Sequence, residues 1–492
     1  MASANPSSLP SSPVGPLFFL LCLVHVVLKF ALGAHVLGLK PTGDENAYVD
    51  AAMALSNLIR DCAHLLAPDW TQLRDNVVGN GWFMPGMPLL LTPLYLVAPK
   101  AGVVALRIYL GCISLGLWAW ALAAVERRLG RPYAWALLVF PSLVPLWVMF
   151  SFTAWGDLYA GLLLVVLLCH AATTWQRLQR GQSISVTAGL QIGALAAACL
   201  YLRSSVLPLV PILFAALLLA AVVFTGGTQR RRALAACCAG IATFLVLLSP
   251  WSIAASKLLH ARVVTTTTVP LSMAVAFGDQ HDLCFGPCAR GNIWFNAVGY
   301  SRAVAAEAGS DEVTVQKDMA RYATRNATPQ TYAADVFSDF GRYAFNPASF
   351  THVFLPHGKA QHRSRTIVDR ATRIPYYALM LALVAAWFTV VRRAPERQVA
   401  SVLVKMFSAC LLLQPFVHVG GGRYWTIFAP LFALSLGLLA ATFADRRAAF
   451  TDGIAEDSAG RNARWMIGIQ YAFIGGLVAL SAALWWLGTI RA

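Results

Sequence analysis

The chain has 492 residues, of which 58% are hydrophobic and only 12% charged, with a formal net charge of +16. A soluble domain carries about 25% charged residues, so this shortage, with a mean hydropathy of +0.62, excludes a soluble globular enzyme, a disordered tail protein and a nucleic-acid reader. The surplus of apolar side chains has to face lipid.

The first 15 residues are rich in Ser and Pro and are expected to be disordered. A secretory leader is not expected there, because no basic n-region precedes the first apolar stretch and that stretch is too long. Apolar stretches near the length that crosses the hydrocarbon as a helix fall at roughly 17–39, 101–124, 133–150, 158–174, 185–202, 205–226, 234–256, 374–391, 398–416, 424–444 and 465–488, about eleven in all. The stretch 84–99 is short and broken by Pro85, Pro88, Pro93 and Pro99. It reads as re-entrant or interfacial, since broken backbone at membrane depth has to be sheltered by protein.

With the N-terminus inside and 84–99 not crossing, the basic loops sort themselves. Arg127, Arg128 and Arg131 share one loop, and Arg177 and Arg180 share another. Arg230, Arg231 and Arg232, then Arg392, Arg393 and Arg397, then Arg446, Arg447, Arg461 and Arg464 fill the rest. All fall on one face, as the positive-inside rule requires, and the basic charge needs no nucleic acid. The predicted plan is a transmembrane core over 16–256 with a helical first outer loop at 40–100. A larger outer subdomain follows over 257–373, and C-terminal transmembrane helices over 374–492. The expected class is an all-α integral membrane protein. Between 311 and 347, apolar residues recur at helical spacing and predict two or three amphipathic helices. Most of the ten cysteines lie in spans, where a thiol is a small apolar group. Cys284 and Cys288 differ: they flank Phe285-Gly286-Pro287 in the large outer loop. A disulfide is open to them in an oxidising compartment, and two free packed thiols are the alternative.

Charged residues near the outer membrane face are the candidates for chemistry. Asp44 and Glu45 open a helix directly after the first span. Thr42 or Asp44 could cap that helix, and a carboxylate there could accept a proton or hold a metal. Acids at a helix start are also stabilised by its dipole. Asp157 ends the short outer loop 151–157 and begins a span, where a buried carboxylate needs a partner or a task. Lys29, Arg107, Arg203 and Arg423 all tend toward the outer leaflet, where cations are disfavoured. They could gather around one anion, since the guanidinium fork suits phosphate, with glycines 420–422 offering backbone N–H groups. Lys29 could equally snorkel to the headgroups.

In order along the chain come GDENAY after the first span, NGWFMPGMPLLLTPLY, and Arg107 near the start of the next span. That order resembles the polytopic GT-C glycosyltransferases, most closely the branch of protein O-mannosyltransferases and lipid A aminoarabinose transferases. Asp44 and Glu45 match the acidic pair of the first outer loop, Tyr48 the tyrosine after it, and Asp157 the second acid at a later span. Arg423 and Tyr424 match the Arg-Tyr before a late span. A departure is Met84-Pro85-Gly86-Met87-Pro88, which lacks the basic or imidazole group that precedes the family's paired prolines.

The resemblance implies a polyprenyl-phosphate-linked sugar as donor and inverting transfer to a lipid, polysaccharide or protein acceptor at the outer face. Asp44, Glu45 and Asp157 would then be catalytic. Arg107, Arg203, Arg423, Tyr424 and Lys29 would hold the lipid phosphate. No cofactor is implied with certainty. Family members differ on a divalent metal, for which Asp44 and Asp157 would be the ligands. The Ala- and Arg-rich composition without targeting signals suggests a bacterial inner membrane, with the site facing the periplasm; an endoplasmic reticulum membrane is the alternative. The rival class is a secondary transporter or lipid flippase, since intramembrane charges mark transport pathways too. No internal repeat, which transporters often show, is visible in the sequence.

Overall fold

The computed structural model describes residues 15–79, 83–278, 293–355, 362–418, 421–451 and 461–489. Among them there is no strand. Nine of the described helices are long and apolar enough to cross a membrane: Pro16–Val36, Val103–Arg128, Gly156–Gln179, Ser204–Phe224, Gly227–Leu258, His362–Phe388, Pro395–Phe416, Trp425–Asp445 and Asn462–Leu487. Gly86–Val97 and Val186–Leu202 are apolar but shorter. The chain is an all-α integral membrane protein.

The helix Gly156–Gln179 is the hub. It is buried almost throughout, whereas Asn462–Leu487 is mostly exposed and suited to lipid contact. The hub carries Asp157 in its first turn, so that carboxylate starts inside protein rather than at a lipid-facing surface.

Two expected spans differ from the helices found. The stretch 133–150 is not one helix but two, Arg131–Val139 and Pro145–Phe150. Pro141 and Pro145 lack the N–H a continuous helix needs and push the residues before them out of the helical region. The span expected at 374–391 belongs to a helix that begins at His362. Its first turns carry Arg363, Arg365, Arg370 and Arg373, which lower hydropathy without interrupting the helix. The proline-broken stretch 84–99 contains a 12-residue helix, Gly86–Val97, with Pro93 inside it.

Basic loops from distant parts of the chain meet at one end of the bundle. Arg180 pairs with Glu396 at 2.7 Å, Asn462 Nδ2 donates to the Gln179 carbonyl at 3.1 Å, and Arg397 pairs with Asp445. Within 257–373, the helices Thr268–Ala276, Ile293–Ala308 and Glu312–Ala323 share a small core of their own that includes Leu271, Val275, Val298 and Met319. Arg302 Nη2 ties this segment to the stretch between the first two long apolar helices by donating to the Gly79 carbonyl at 2.6 Å. Cys284 and Cys288 lie outside the described residues.

Two glycines set the register around the segment that precedes Arg203. A Cβ on Gly86 would fall 2.3 Å from the Tyr201 carbonyl oxygen, and one on Gly156 would fall 2.4 Å from that of Leu202. Both obstacles are backbone and cannot rotate aside. Gly156→Ala is therefore expected to lower stability by about 1–3 kcal/mol, the usual cost of overpacking. Thermal unfolding of the detergent-solubilised variant measures this, and an unchanged midpoint would show that the contact is soft.

Candidate functional site

Asp44 is the first residue of the helix Asp44–Ala63. The N-cap is Gly43, at φ +56°, and no side chain caps the helix, so neither Thr42 nor Asp44 does the capping expected of it. Successive helical residues point about 100° apart. The two neighbouring carboxylates consequently leave in different directions.

Glu45 turns into the core. Its oxygens accept from Arg107 Nη1 at 2.5 Å and Nη2 at 3.1 Å, from the Ala154 N–H at 2.7 Å and from the Thr42 N–H at 3.2 Å. Arg107 donates further to the carbonyls of Leu39, at 2.9 Å, and Phe152, at 3.0 Å. Glu45 and Arg107 are each 1% exposed, and their hydrogen-bonding capacity is heavily used within the protein. Lys29 is buried too and does not snorkel. Its Nζ donates to Ser114 Oγ at 2.7 Å and Ser151 Oγ at 2.5 Å. Lys29, Glu45 and Arg107 thus brace the segment 151–155, which leads into Asp157.

Asp44 turns the other way and pairs with Arg423 Nη2. Arg423 Nε lies 3.7 Å from Asp157 Oδ2, and Arg203 Nε lies 2.9 Å from Asp157 Oδ1. The Asp157 oxygens have no in-line hydrogen bond, so the two guanidinium groups hold this buried carboxylate by charge contact. The Tyr424 ring sits 5.0 Å from the Arg203 guanidinium carbon and 5.3 Å from that of Arg423, within cation–π range. Trp155 faces Arg423 at 5.3 Å. Nearby, burial and then the Asp44 carboxylate push the Tyr48 phenol above its ordinary range, so it stays a neutral hydroxyl at physiological pH.

This cluster opens on a cavity of about 540 Å³. Asp44, Arg203 and Arg423, with the Tyr424 ring beside them, form its charged side, and Phe83, Ser205, Thr265, Gln414 and His418 are among its other walls. Asp157 is 2% exposed and stands behind the two arginines. The Thr265 wall is fixed to the helix Gly227–Leu258, where Trp251 Nε1 donates to the Thr265 carbonyl at 2.5 Å. A second hollow, of about 780 Å³ and almost wholly apolar, runs between the helices Pro329–Ala344, Pro395–Leu411 and Arg461–Thr489. Leu413 and Phe416 line both hollows.

Of the sequence candidates, the structure brings Asp44, Asp157, Arg203, Arg423 and Tyr424 together. It keeps Lys29, Glu45 and Arg107 away from the cavity wall. Among glycines 420–422, Gly420 lies outside the described residues. Gly422 is taken up by a protein neighbour, since a Cβ there would fall 1.6 Å from Ser349 Oγ and 2.8 Å from the Asn346 carbonyl oxygen. Ser205, Gln414 and His418 were not legible as site residues. They are isolated polar residues in apolar or loop sequence, and only the folded chain turns them to the same hollow.

The donor set does not suit a resident divalent metal. Such an ion wants several oxygen ligands, whereas Asp44 and Asp157 each face a guanidinium. No group of three or more His, Cys, Asp or Glu among the described residues could hold a metal.

Arg107→Leu would leave Glu45 buried without its partner, which costs about 3–5 kcal/mol. The double variant Glu45→Leu/Arg107→Leu is expected to recover much of that loss. Thermal unfolding of both variants tests the pair, and a harmless single variant would remove it from the structural framework.

No protein family and no curated protein matches the chain. Among solved structures, it is similar to the crystal structure of ArnT from Cupriavidus metallidurans bound to undecaprenyl phosphate, with 15% sequence identity, 89% of this chain and 79% of that chain covered, and a TM-score of 0.33.

Proposed function

We propose that this chain is a membrane glycosyltransferase that moves a sugar from a polyprenyl-phosphate donor to an acceptor at the outer membrane face, with inversion. The observation that carries the reading is that two hollows of opposite character share a wall. A cavity walled by Arg203 and Arg423 adjoins a long apolar groove through Leu413 and Phe416. A ligand with one anionic head and a long hydrocarbon tail satisfies both. The motif order from GDENAY to Arg423-Tyr424 supports the same class.

The cluster of Asp44, Asp157, Arg203 and Arg423 carries two negative and two positive charges. An incoming donor phosphate competes with Asp44 for Arg423, and Arg203 and Arg423 bind it as paired cations. Release from Arg423 leaves Asp44 free to accept the proton of the acceptor nucleophile. The acceptor atom bonds to the anomeric carbon from the face opposite the phosphate. The carbon–oxygen bond to the phosphate breaks, and its electron pair stays on the phosphate oxygen. The two guanidinium groups stabilise the charge that develops there. Asp157 holds both arginines in place from behind. Tyr424 covers their faces with an apolar ring and limits competing water. Glu45, Arg107 and Lys29 support the loop that carries Asp157. The acceptor is a lipid, a polysaccharide or a protein, and a bacterial inner membrane with the site toward the periplasm suits the composition.

Asp44→Asn is expected to lower sugar transfer from a labelled undecaprenyl-phosphate donor by about 10²–10⁴-fold, the range for losing a general base. Membrane expression should hold, with a modest fall in the unfolding midpoint, because Asn keeps an acceptor for Arg423 and Asp157 still faces it at 3.7 Å. Retained turnover would remove Asp44 from catalysis. Lipid movement across vesicles without any transfer would favour the transporter class. Transfer is also expected to survive excess chelator, because both candidate ligands are engaged by arginine; loss of activity restored by added Mg²⁺ or Mn²⁺ would overturn that.

A further inference from the structure

The cavity has a second polar wall that the phosphate does not need. Gln414 lies on the short turn Gln414–Phe416 and is only 6% exposed, yet its side-chain Nε2 has no hydrogen-bond partner. Ser205 Oγ, on the wall formed by Ser204–Val206, is likewise buried and unpartnered. Both residues line the same cavity as Arg203 and Arg423. Buried polar groups are ordinarily paired, and one left unpaired in a native fold calls for an explanation.

The orphaned amide is also held where it is. Tyr332 Oη donates to the Phe416 carbonyl at 2.7 Å, and Tyr343 Oη donates to the Leu411 carbonyl at 3.1 Å. These bonds fix the turn from both sides. Leu413, just before the turn, and Phe416, its last residue, line both the cavity and the apolar groove.

The chemistry of the wall selects what it reads. An amide offers two donors and an acceptor, and a serine hydroxyl offers one donor and two acceptor lone pairs. Neither carries charge, so neither competes with the arginines for phosphate. A ring hydroxyl, which both donates and accepts, matches them. We propose that Gln414 and Ser205 form the subsite that reads a hydroxyl of the donor sugar and so determine which sugar is transferred. This rests on the glycosyltransferase reading. A site built to bond a hydroxyl penalises a ligand lacking it, because its own buried groups are then left unpaired.

The test is binding by the full-length protein in nanodiscs. The probes are undecaprenyl phosphate and its phosphodiesters with glucose, galactose, mannose and arabinose. The wild type is expected to bind at least one glycoside at least about tenfold more tightly than the sugar-free lipid. Gln414→Leu should lose that preference while holding undecaprenyl phosphate as tightly as the wild type. Ser205→Ala should narrow the preference in the same direction, and it carries the test alone if Gln414→Leu fails to fold. Variants that keep the full preference, that weaken sugar-free and sugar-bearing lipids alike, or that change only the acceptor KM would overturn the subsite and leave the glycosyltransferase reading standing. A wild type that binds undecaprenyl phosphate but prefers none of the glycosides would do the same. A wild type that binds no undecaprenyl phosphate would overturn both.

Discussion

Four charged side chains, Asp44, Asp157, Arg203 and Arg423, are gathered in one buried cluster, and the architecture around the cavity follows from the need to keep them paired. Each arrives from a different helix end: the start of Asp44–Ala63, the start of Gly156–Gln179, the residue after Val186–Leu202 and the loop before Trp425–Thr451. An unpaired charge at such depth costs several kcal/mol. That cost makes the meeting of four helix ends a requirement rather than an accident of packing. The bare backbone contacts of Gly86 and Gly156 against residues 201 and 202 then read as devices of register. They let the segment before Arg203 approach close enough for the 2.9 Å contact with Asp157.

Balanced charge also gives the cluster a means of responding. Two carboxylates and two guanidinium groups cancel, so the closed arrangement is stable without a ligand. An added anion upsets the balance at the most exchangeable contact. Asp157 is almost fully buried behind both arginines, while the side chains of Asp44 and Arg423 are 15% and 13% exposed. Both arginines are 13% exposed, so of the two carboxylates Asp44 is the one an incoming anion can displace. On the proposed reading, the group freed by that exchange is the group the reaction needs as base. Donor binding and activation of the nucleophile would then be one electrostatic event.

The sequence reveals the membrane class and most of the helices, because hydropathy is a local signal. The carboxylates and arginines that meet are legible too, as charges at helix ends where lipid makes charge expensive. What local pattern conceals is direction. Asp44 and Glu45 look equivalent in the sequence, and Lys29, Arg107, Arg203 and Arg423 look like one set. Only tertiary packing reveals that Lys29 meets two serines and Arg107 meets Glu45. Hydropathy also misplaces helix ends. The arginines of 362–373 hide a helix that continues beyond the apolar window, and Pro141 with Pro145 divides a stretch that reads as one span.

The divergence of Asp44 and Glu45 has a structural logic. Glu45 is tied to Arg107, to the Ala154 N–H and to the Thr42 N–H, so it fixes both the angle at which its helix begins and the loop that carries Asp157. Asp44 is then aimed by its neighbour, one helical step of about 100° away. A reactive carboxylate on a flexible loop would lose precision at each excursion of the loop. Here the entry to the helix is anchored by a buried ion pair, and the partly exposed carboxylate borrows that rigidity. The fully engaged acid and the partly exposed one are therefore two halves of one device: the first makes the position of the second reproducible, at the edge of the cavity.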